Sequence, residues 1–192
     1  ATPVSNGYYI NDTAILTTAA GSAVTTALQN MLNNRGYDLK AHSQLDIIRE
    51  IKEKHCLVST NYAADVNGQE NLFDYSLPNG TAIKIGHEVI KSSEVLFRPQ
   101  EQGLEAKGIH EILSESIAKC DKTIQQKLYS NIVVAGGTSK LTNFVARLEQ
   151  EMKKNTEHGS HTKIITPHKR QYASWIGGST LAFLPTFNGM EI

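Results

Sequence analysis

Apolar positions recur along this chain at spacings of three and four residues, which is typical of amphipathic helices. The first such segment begins at Gly21 and ends near Arg35, and Gly36 follows where a helix commonly closes with a left-handed residue. Its apolar face consists of Val24, Leu28, Met31 and Leu32. Because these side chains share one face, the pattern predicts a helix that covers a core.

The same spacing predicts further helices. Ser43 with Asp46 three residues later resembles a capping box, and it precedes a helix that carries the charged cluster 49–54. The others are predicted over 109–119, 122–130, 139–153 and roughly 173–184. Pro185 is expected to stop the last helix, whose Trp175 and Phe183 are expected in the core.

Short apolar runs next to turn residues predict the strands. Runs at 7–10 and 14–18 flank Asn11-Asp12 and predict a hairpin, as do 72–77 and 81–85 on either side of Pro78-Asn79-Gly80. Two further strands are predicted at 131–135 and 163–166, and the polar stretch 59–71 is predicted to be a mobile loop. Strands alternate with helices at both ends, and a helix-rich segment with its own hairpin lies between. The pattern predicts an α/β domain with a smaller α+β insertion.

Composition limits the partners and the cellular location that we expect for this chain. The chain has 192 residues, 19 basic and 19 acidic, with a formal net charge of +0, so neither nucleic acid nor an anionic membrane is an expected partner. No apolar run reaches the roughly 18 residues of a membrane span. Cys56 and Cys120 lie far apart without metal-ligand spacing, which is typical of the cytosol or nucleus. The chain begins at Ala1 rather than Met, so we expect a fragment or excised domain.

The strongest candidate for chemistry is the stretch 131–148, which predicts a strand, a two-glycine turn and a helix. Such a turn points free backbone N–H groups at an anion, and phosphate is the obvious one. The alternative is a plain β-to-α turn that needs positive φ and a capping Thr. A second glycine pair, Gly177-Gly178, predicts another close approach of the backbone.

Two weaker candidates are set aside. His158, His161 and His168 lie in a polar stretch without fixed geometry, so no metal site is expected there. Cys56 follows His55 but no third group orients the pair, so no catalytic residue is assigned.

A series of short motifs runs through the whole chain in order: Gly7-Tyr8, Ala20-Gly21, Arg35-Gly36-Tyr37, Ile51-Lys52-Glu53-Lys54, Leu77-Pro78-Asn79-Gly80, Gly108-Ile109-His110-Glu111, Lys119-Cys120-Asp121, Ala135-Gly136-Gly137-Thr138 and Tyr172-x-x-Trp175-Ile176-Gly177-Gly178-Ser179. In this order and spacing they resemble a divergent actin or actin-related protein, specifically its larger, C-terminal half. The resemblance implies an actin-like (ribonuclease H-like) ATPase domain. Residues 1–20 and 105–192 would form a subdomain 3-like core, and residues 21–104 a subdomain 4-like insertion.

Actin holds ATP or ADP with Mg²⁺ or Ca²⁺ in a cleft between two halves, and the resemblance implies that one wall is present here. The implied nucleotide-binding residues are Gly21, Arg49, Lys52, Glu53, Gly136, Gly137, Thr138, Lys140, Leu141 and Gln171. Among them, Lys140, Leu141 and Gln171 depart from the family's residues, which implies altered packing against the base. The alternative for the charged positions is a solvated helix face with Arg49–Glu53 and Glu50–Lys54 pairs, and for Gly21 a helix N-cap.

The resemblance also implies an expectation about ATP hydrolysis. Intact family members are slow ATPases, but their phosphate loops and water-positioning groups would lie upstream of Ala1. This chain alone is therefore not expected to hydrolyse ATP at a family-like rate, and whether it belongs to an enzyme stays open.

Two functional hypotheses follow from the resemblance. The first is an ATP-binding cytoskeletal protein that forms filaments with like actin subunits, or binds actin-binding proteins, in the cytoplasm, with the nucleus as a second location. The second is a non-filamentous actin-related scaffold in a larger complex, with structural nucleotide. Glu101-Gln102 stands where actin carries an apolar contact tip, and an unpaired carboxylate is costly to desolvate on assembly. A sugar-kinase or chaperone-type ATPase is a third hypothesis, which the Trp-Ile-Gly-Gly-Ser segment disfavours.

Overall fold

The computed structural model describes residues 1–39, 44–155, 162–185 and 187. Its helices and strands, in chain order, are β1 Val4–Ser5, β2 Tyr8–Tyr9, α1 Gly21–Asn34, α2 Leu45–His55, α3 Tyr62–Asn67, β3 Phe73–Ser76, β4 Ala82–Ile85, α4 Glu88–Lys91, α5 Ile109–Ala118, α6 Lys122–Tyr129, β5 Ile132–Val133, α7 Phe144–Asn155, β6 Ile164–Ile165 and α8 Ala173–Ala182. Short 3-10 turns join several of them, at Ser93–Leu96, Pro99–Gln102, Gly137–Lys140 and Arg170–Tyr172. The chain is thus a mixed α/β structure.

The strands form two-stranded sheets. β3 and β4 are antiparallel, with Phe73 opposite Ile85 and Ser76 opposite Ala82, which confirms the hairpin predicted around Pro78-Asn79-Gly80. β5 and β6 are parallel, with Ile132 opposite Ile164. The two-glycine turn follows this parallel pair closely in the chain, because β5 ends three residues before Gly136.

The first hairpin differs from its prediction. β1 and β2 pair around Asn6 and Gly7, whose φ angles are 53° and 85°, as a tight hairpin turn requires. The prediction of paired strands at 7–10 and 14–18 is therefore wrong, because the turn falls several residues earlier. Asp12 also has positive φ (60°), but no strand forms at 14–18.

Two clusters of buried apolar side chains form the core. The first surrounds the β3–β4 hairpin and comprises Leu28, Leu32, Leu39, Ile48, Ile51, Cys56, Ile83, Ile85 and Val89. The second surrounds α5, α7 and β5 and comprises Val24, Val58, Val95, Leu96, Phe97, Ile117, Tyr129, Ile132, Phe144, Leu148 and Met152. Helix α1 contributes to both clusters, through Leu28 and Val24, and Leu141 packs against both. The two clusters are therefore joined at α1 and at the residues that follow the two-glycine turn.

The helices with the clearest periodicity are confirmed. α1 ends at Asn34, and Gly36 has a φ of 101°. The helices predicted over 109–119 and 122–130 are α5 and α6. α2 begins at Leu45, whereas Ser43, the first residue of the predicted capping box, lies outside the described residues.

The helix predicted over 139–153 begins five residues late, at Phe144. Before it, residues 137–140 form a 3-10 turn, Leu141 is extended, and Asn143 has a φ of 62°, which a helix does not tolerate. Thr142 instead forms a parallel bridge with Leu57, and its carbonyl accepts a hydrogen bond from the Val58 N–H at 2.9 Å. This long-range pairing, which no local pattern signals, holds residues 141–143 out of the helix.

Two other predictions are wrong. The stretch 59–71 contains helix α3, which Ser59 stabilises through its hydrogen bond to Asp65. Trp175 and Phe183 are not in the core, since they are 75% and 88% exposed. No helix in the described ranges is long and apolar enough to cross a membrane.

Candidate functional site

An open groove of about 580 Å³ lies where α2 approaches the 3-10 turns at 137–140 and 170–172. It is lined by Lys52, Glu53, Gly137, Thr138, Lys140, Leu141, Gln171 and Tyr172. Seven of these eight residues belong to the set predicted from the sequence. The structure thus gathers onto one surface residues that are more than a hundred positions apart in the chain.

The two-glycine turn supplies backbone donors to this groove. Gly136 has a φ of 90°, which favours glycine, and its N–H donates to the Arg170 carbonyl at 2.8 Å. The N–H groups of Gly137 and Thr138 have no acceptor among the described residues, and both residues line the groove. Two donors are therefore available to an anion. Their setting differs from the prediction, because α7 begins six residues after Thr138 and its dipole does not originate at this turn.

Gly21 lies directly behind the turn. A Cβ atom at this position would be 2.6 Å from Thr138 Oγ1 and 3.9 Å from Lys52 Nζ, so only glycine allows α1 to begin so close to the groove. The Lys52 ammonium donates to the Gly21 carbonyl at 3.3 Å and to Thr25 Oγ1 at 3.1 Å. An ammonium has three N–H donors, so one remains for a ligand. Lys52 both ties α2 to α1 and brings a positive charge to the groove.

Two other charged residues of α2, Glu53 and Arg49, differ in whether they line the groove. Glu53 lines the groove, and its carboxylate has no partner within the described ranges. Arg49 is not among the residues that line the groove, and it pairs with Asp46 at 2.8 Å on the helix surface. The predicted Arg49–Glu53 pair is therefore wrong, whereas the Glu50–Lys54 pair is present at 2.6 Å. The hydrogen bond with Lys54 lowers the pKa of Glu50 and raises that of Lys54.

The far wall of the groove is built on residues 170–172. Arg170 donates from Nε to Ser139 Oγ at 3.1 Å and from Nη2 to the Ser139 carbonyl at 3.2 Å. Ser139 Oγ in turn donates to the Gly136 carbonyl at 2.8 Å. Together with the bond from the Gly136 N–H to Arg170, these contacts fix the far wall relative to the two-glycine turn.

Sequence reasoning missed Tyr172 as a lining residue. It lies next to Gln171 and opens the Tyr172-x-x-Trp175 motif, so its position beside a predicted site residue was the available signal. The residue is 58% exposed. Leu141 is the other apolar lining residue, but its side chain packs against both buried clusters. Tyr172 is therefore an exposed aromatic residue at the edge of this groove and of a neighbouring one.

The second glycine pair, Gly177-Gly178, lies inside α8. A Cβ atom added at either glycine would meet nothing within 4 Å. The close backbone approach predicted for this pair is therefore not found in the described part of the chain. A neighbouring groove of about 840 Å³ opens between α8 and residues 168–172, lined by Lys140, His168, Lys169, Arg170, Gln171, Tyr172, Trp175 and Ile176.

The remaining sequence candidates are the histidines at 158, 161 and 168 and the thiol of Cys56. Over the residues that the structure describes, no three His, Cys, Asp or Glu side chains gather as a metal site, and His158 and His161 lie outside those residues. Burial raises the pKa of the Cys56 thiol to about 11, and its sulfur contacts Ser92 Oγ at 3.5 Å. A buried thiol with a raised pKa is a poor nucleophile.

The comparison with known families agrees with the motifs. The family model for actin matches residues 1–192, which is the whole chain. The chain therefore belongs to the actin family, and its mixed α/β structure fits an actin-like fold.

Proposed function

We propose that this actin-family chain forms one wall of a cleft that binds ATP or ADP together with Mg²⁺ or Ca²⁺ in the intact protein. The observation that carries the proposal is the pair of N–H groups, from Gly137 and Thr138, that have no acceptor among the described residues and line the groove together with Lys52. Backbone donors and a nearby cation are what a phosphate chain requires. Members of the actin family bind nucleotide with divalent cations, which is consistent with this chemistry.

The remaining lining residues fit a nucleoside. The Glu53 carboxylate has free acceptor capacity and suits the ribose hydroxyls. Lys140, Leu141 and Gln171 suit the base, whereas Gly21 and Gly136 contribute by allowing close approach and by shaping the turn. Arg49 takes at most a peripheral part, because Asp46 holds it on the outer face of α2. For the divalent cation we assign no ligand from the described residues.

The wider role we propose is that of a cytoskeletal protein of the cytoplasm that assembles into filaments with like subunits or engages actin-binding proteins. We further propose a core of residues 1–20 and 105–192 and an insertion of residues 21–104; one of the two buried clusters supports this division, whereas the cluster around Phe97 combines residues of both parts. The buried cluster around the β3–β4 hairpin consists entirely of residues from 28 to 89.

Nucleotide titration of the full-length protein tests the binding site. Glu53→Ala is expected to weaken ATP binding because the ribose hydroxyls lose an acceptor. Gly137→Leu is expected to weaken it more, because a Cβ atom added at this groove-lining position meets nothing within 4 Å, so a larger side chain can be accommodated there and takes space from the ligand. Glu105→Ala is the matched control, since Glu105 is exposed and lines a different cavity. Unchanged ATP affinity in both groove variants would refute the site.

One observation favours a non-filamentous scaffold with structural nucleotide as a second candidate. The Glu101 side chain is 50% exposed, and Arg98, at 3.3 Å, is its ion-pair partner. Burying this exposed ion pair in a filament contact removes both charges from water, which costs free energy that their mutual attraction repays only in good geometry. High-speed sedimentation of the full-length protein with Mg-ATP and salt separates the two roles. A filament-forming protein pellets, whereas a scaffold subunit stays in the supernatant at concentrations at which actin pellets.

A further inference from the structure

We propose that the turn Asn6-Gly7 is a modification site, at which the Asn6 amide converts spontaneously to aspartate and isoaspartate in the folded protein. Asn-Gly pairs are open to this chemistry, because glycine has no Cβ atom to hinder attack by its own backbone nitrogen. The described ranges contain three such pairs, Asn6-Gly7, Asn67-Gly68 and Asn79-Gly80, and all of these residues are exposed. Exposure therefore does not distinguish the pairs, whereas their hydrogen bonds do.

The reaction needs no co-reactant other than water. The Gly7 nitrogen attacks the side-chain carbonyl carbon of Asn6, its proton leaves with the side-chain NH₂ group as ammonia, and a succinimide ring remains. Water then opens the ring at either carbonyl, which gives aspartate or isoaspartate and adds one negative charge. Isoaspartate also inserts a carbon atom into the backbone of the tight turn, which changes the geometry that a hairpin turn requires. We therefore expect the pairing of Ser5 with Tyr8 to be lost in that product.

Hydrogen bonds restrain the other two pairs. The Gly68 N–H donates to a backbone carbonyl of α3 at 2.9 Å. The Gly80 N–H donates to the Leu77 carbonyl at 2.9 Å, and the side-chain oxygen of Asn79 accepts from the Thr81 N–H at 3.0 Å. The attacking nitrogen is thus engaged in both pairs, and in the second the side-chain amide is held as well. These bonds must open before the ring can close, so the free energy of opening slows the reaction.

The Asn6-Gly7 pair lacks these restraints. Neither the Gly7 N–H nor the Asn6 side chain has a hydrogen-bond partner among the described residues. The turn joins strands of two residues each, and Val4, Tyr8 and Tyr9 beside it are 52%, 80% and 68% exposed, so little buried surface opposes local opening. The φ of 53° at Asn6 also costs free energy in a residue with a side chain, which favours departure from the turn. A Cβ atom added at Gly7 would meet nothing within 4 Å, so the pair has open space in which to rotate.

The test follows deamidation of the full-length protein in mildly alkaline heavy-oxygen water, by mass spectrometry of proteolytic peptides with fragmentation to locate each modified residue. The same protein unfolded in urea gives a reference rate for each pair. We expect Asn6 to react in the folded protein at close to its unfolded rate. We expect folding to slow Asn67 and Asn79 roughly tenfold or more, which is about what opening one or two hydrogen bonds costs. Asn6→Gln is the control, and it should abolish the rapid uptake of heavy oxygen at this turn.

Two outcomes would overturn the proposal. If folding protects Asn6 as strongly as Asn67 and Asn79, the turn keeps the Asn6 amide away from the Gly7 nitrogen although neither is hydrogen-bonded. If Asn67 or Asn79 reacts as fast as Asn6 in the folded protein, hydrogen bonding does not select the site. Circular dichroism of the incubated sample checks that the rates belong to the folded state. The result is independent of nucleotide binding, so it stands or fails separately from the proposed function.

Discussion

At the scale of single residues, the groove depends on two glycines, which have no Cβ atom. Gly21 lets α1 begin against Thr138, and Gly136 takes a backbone conformation that other residues rarely adopt. The Lys52 ammonium lies close to Gly21 and donates hydrogen bonds to the Gly21 carbonyl and to Thr25 Oγ1. The Gly137 and Thr138 amides, the Lys52 ammonium and the close approach of α1 are therefore one arrangement, and a change at Gly21 reaches the groove through Thr138.

Gly21→Ala tests this arrangement. The added Cβ would lie 2.6 Å from Thr138 Oγ1, so the hydroxyl must rotate or the turn must move. We expect a loss of roughly 1–3 kcal/mol in the free energy of unfolding, the usual cost of overpacking. Adding Thr138→Ala removes the clashing oxygen and leaves the Thr138 Cβ at 3.9 Å, so the double variant should recover most of the loss. Urea unfolding of all four proteins measures the coupling.

The control for that series is Gly178→Ala, a helical glycine where an added Cβ meets nothing within 4 Å. It should be neutral or slightly stabilising, because alanine favours a helix over glycine. Additive effects of Gly21→Ala and Thr138→Ala would contradict the contact between the two residues.

At the scale of elements, the sequence predicted those parts whose causes are local. α1, α5, α6 and the β3–β4 hairpin follow from side-chain periodicity and from turn residues close to them in the chain. The late start of α7 and the first hairpin were mispredicted. α7 starts late because Thr142 pairs with Leu57, some eighty residues away. The first hairpin was misplaced because two turn signals compete, at residues 6–7 and 11–12, and local propensity does not rank them.

In the candidate site, too, features with local causes could be predicted and features that depend on tertiary packing could not. A glycine with positive φ at the end of a strand could be predicted from the local pattern at Gly136, and the structure confirms that conformation. The prediction that Lys52, Thr138 and Gln171 belong to one site came from the resemblance to a family. Local patterns could not supply it, because the three residues come together in the groove only through tertiary packing. Tyr172 escaped prediction for a related reason, since the exposure of an aromatic side chain is decided by what packs beside it.

At the scale of the whole molecule, one buried charge network joins segments that are distant in sequence. Arg147 on α7 is 3% exposed and bonds Glu94, itself 1% exposed, at 2.8 Å. It also donates to the Ser59 carbonyl at 2.6 Å and to Glu151 at 2.7 Å, and its guanidinium lies 4.9 Å from the Phe97 ring centroid. Burial by itself lowers the pKa of Arg147, but its hydrogen bonds with the two carboxylates outweigh that effect and raise it. The guanidinium therefore stays charged, and the segments around it depend on its presence.

Removing this guanidinium should destabilise the whole fold. Arg147→Ala leaves the Glu94 carboxylate buried without its main partner, which typically costs about 3–5 kcal/mol. Replacing both residues, as Arg147→Leu with Glu94→Leu, should cost less than the single change, because the most deeply buried carboxylate is removed together with its partner, whereas Glu151 keeps Lys154 at 3.7 Å. Urea unfolding of the chain measures all of these, with Lys107→Ala as the control, since the Lys107–Glu115 pair is at the surface and should contribute little. If Arg147→Ala is as mild as that control, the network does not hold the segments together, and the apolar cluster around Phe97 must account for their packing.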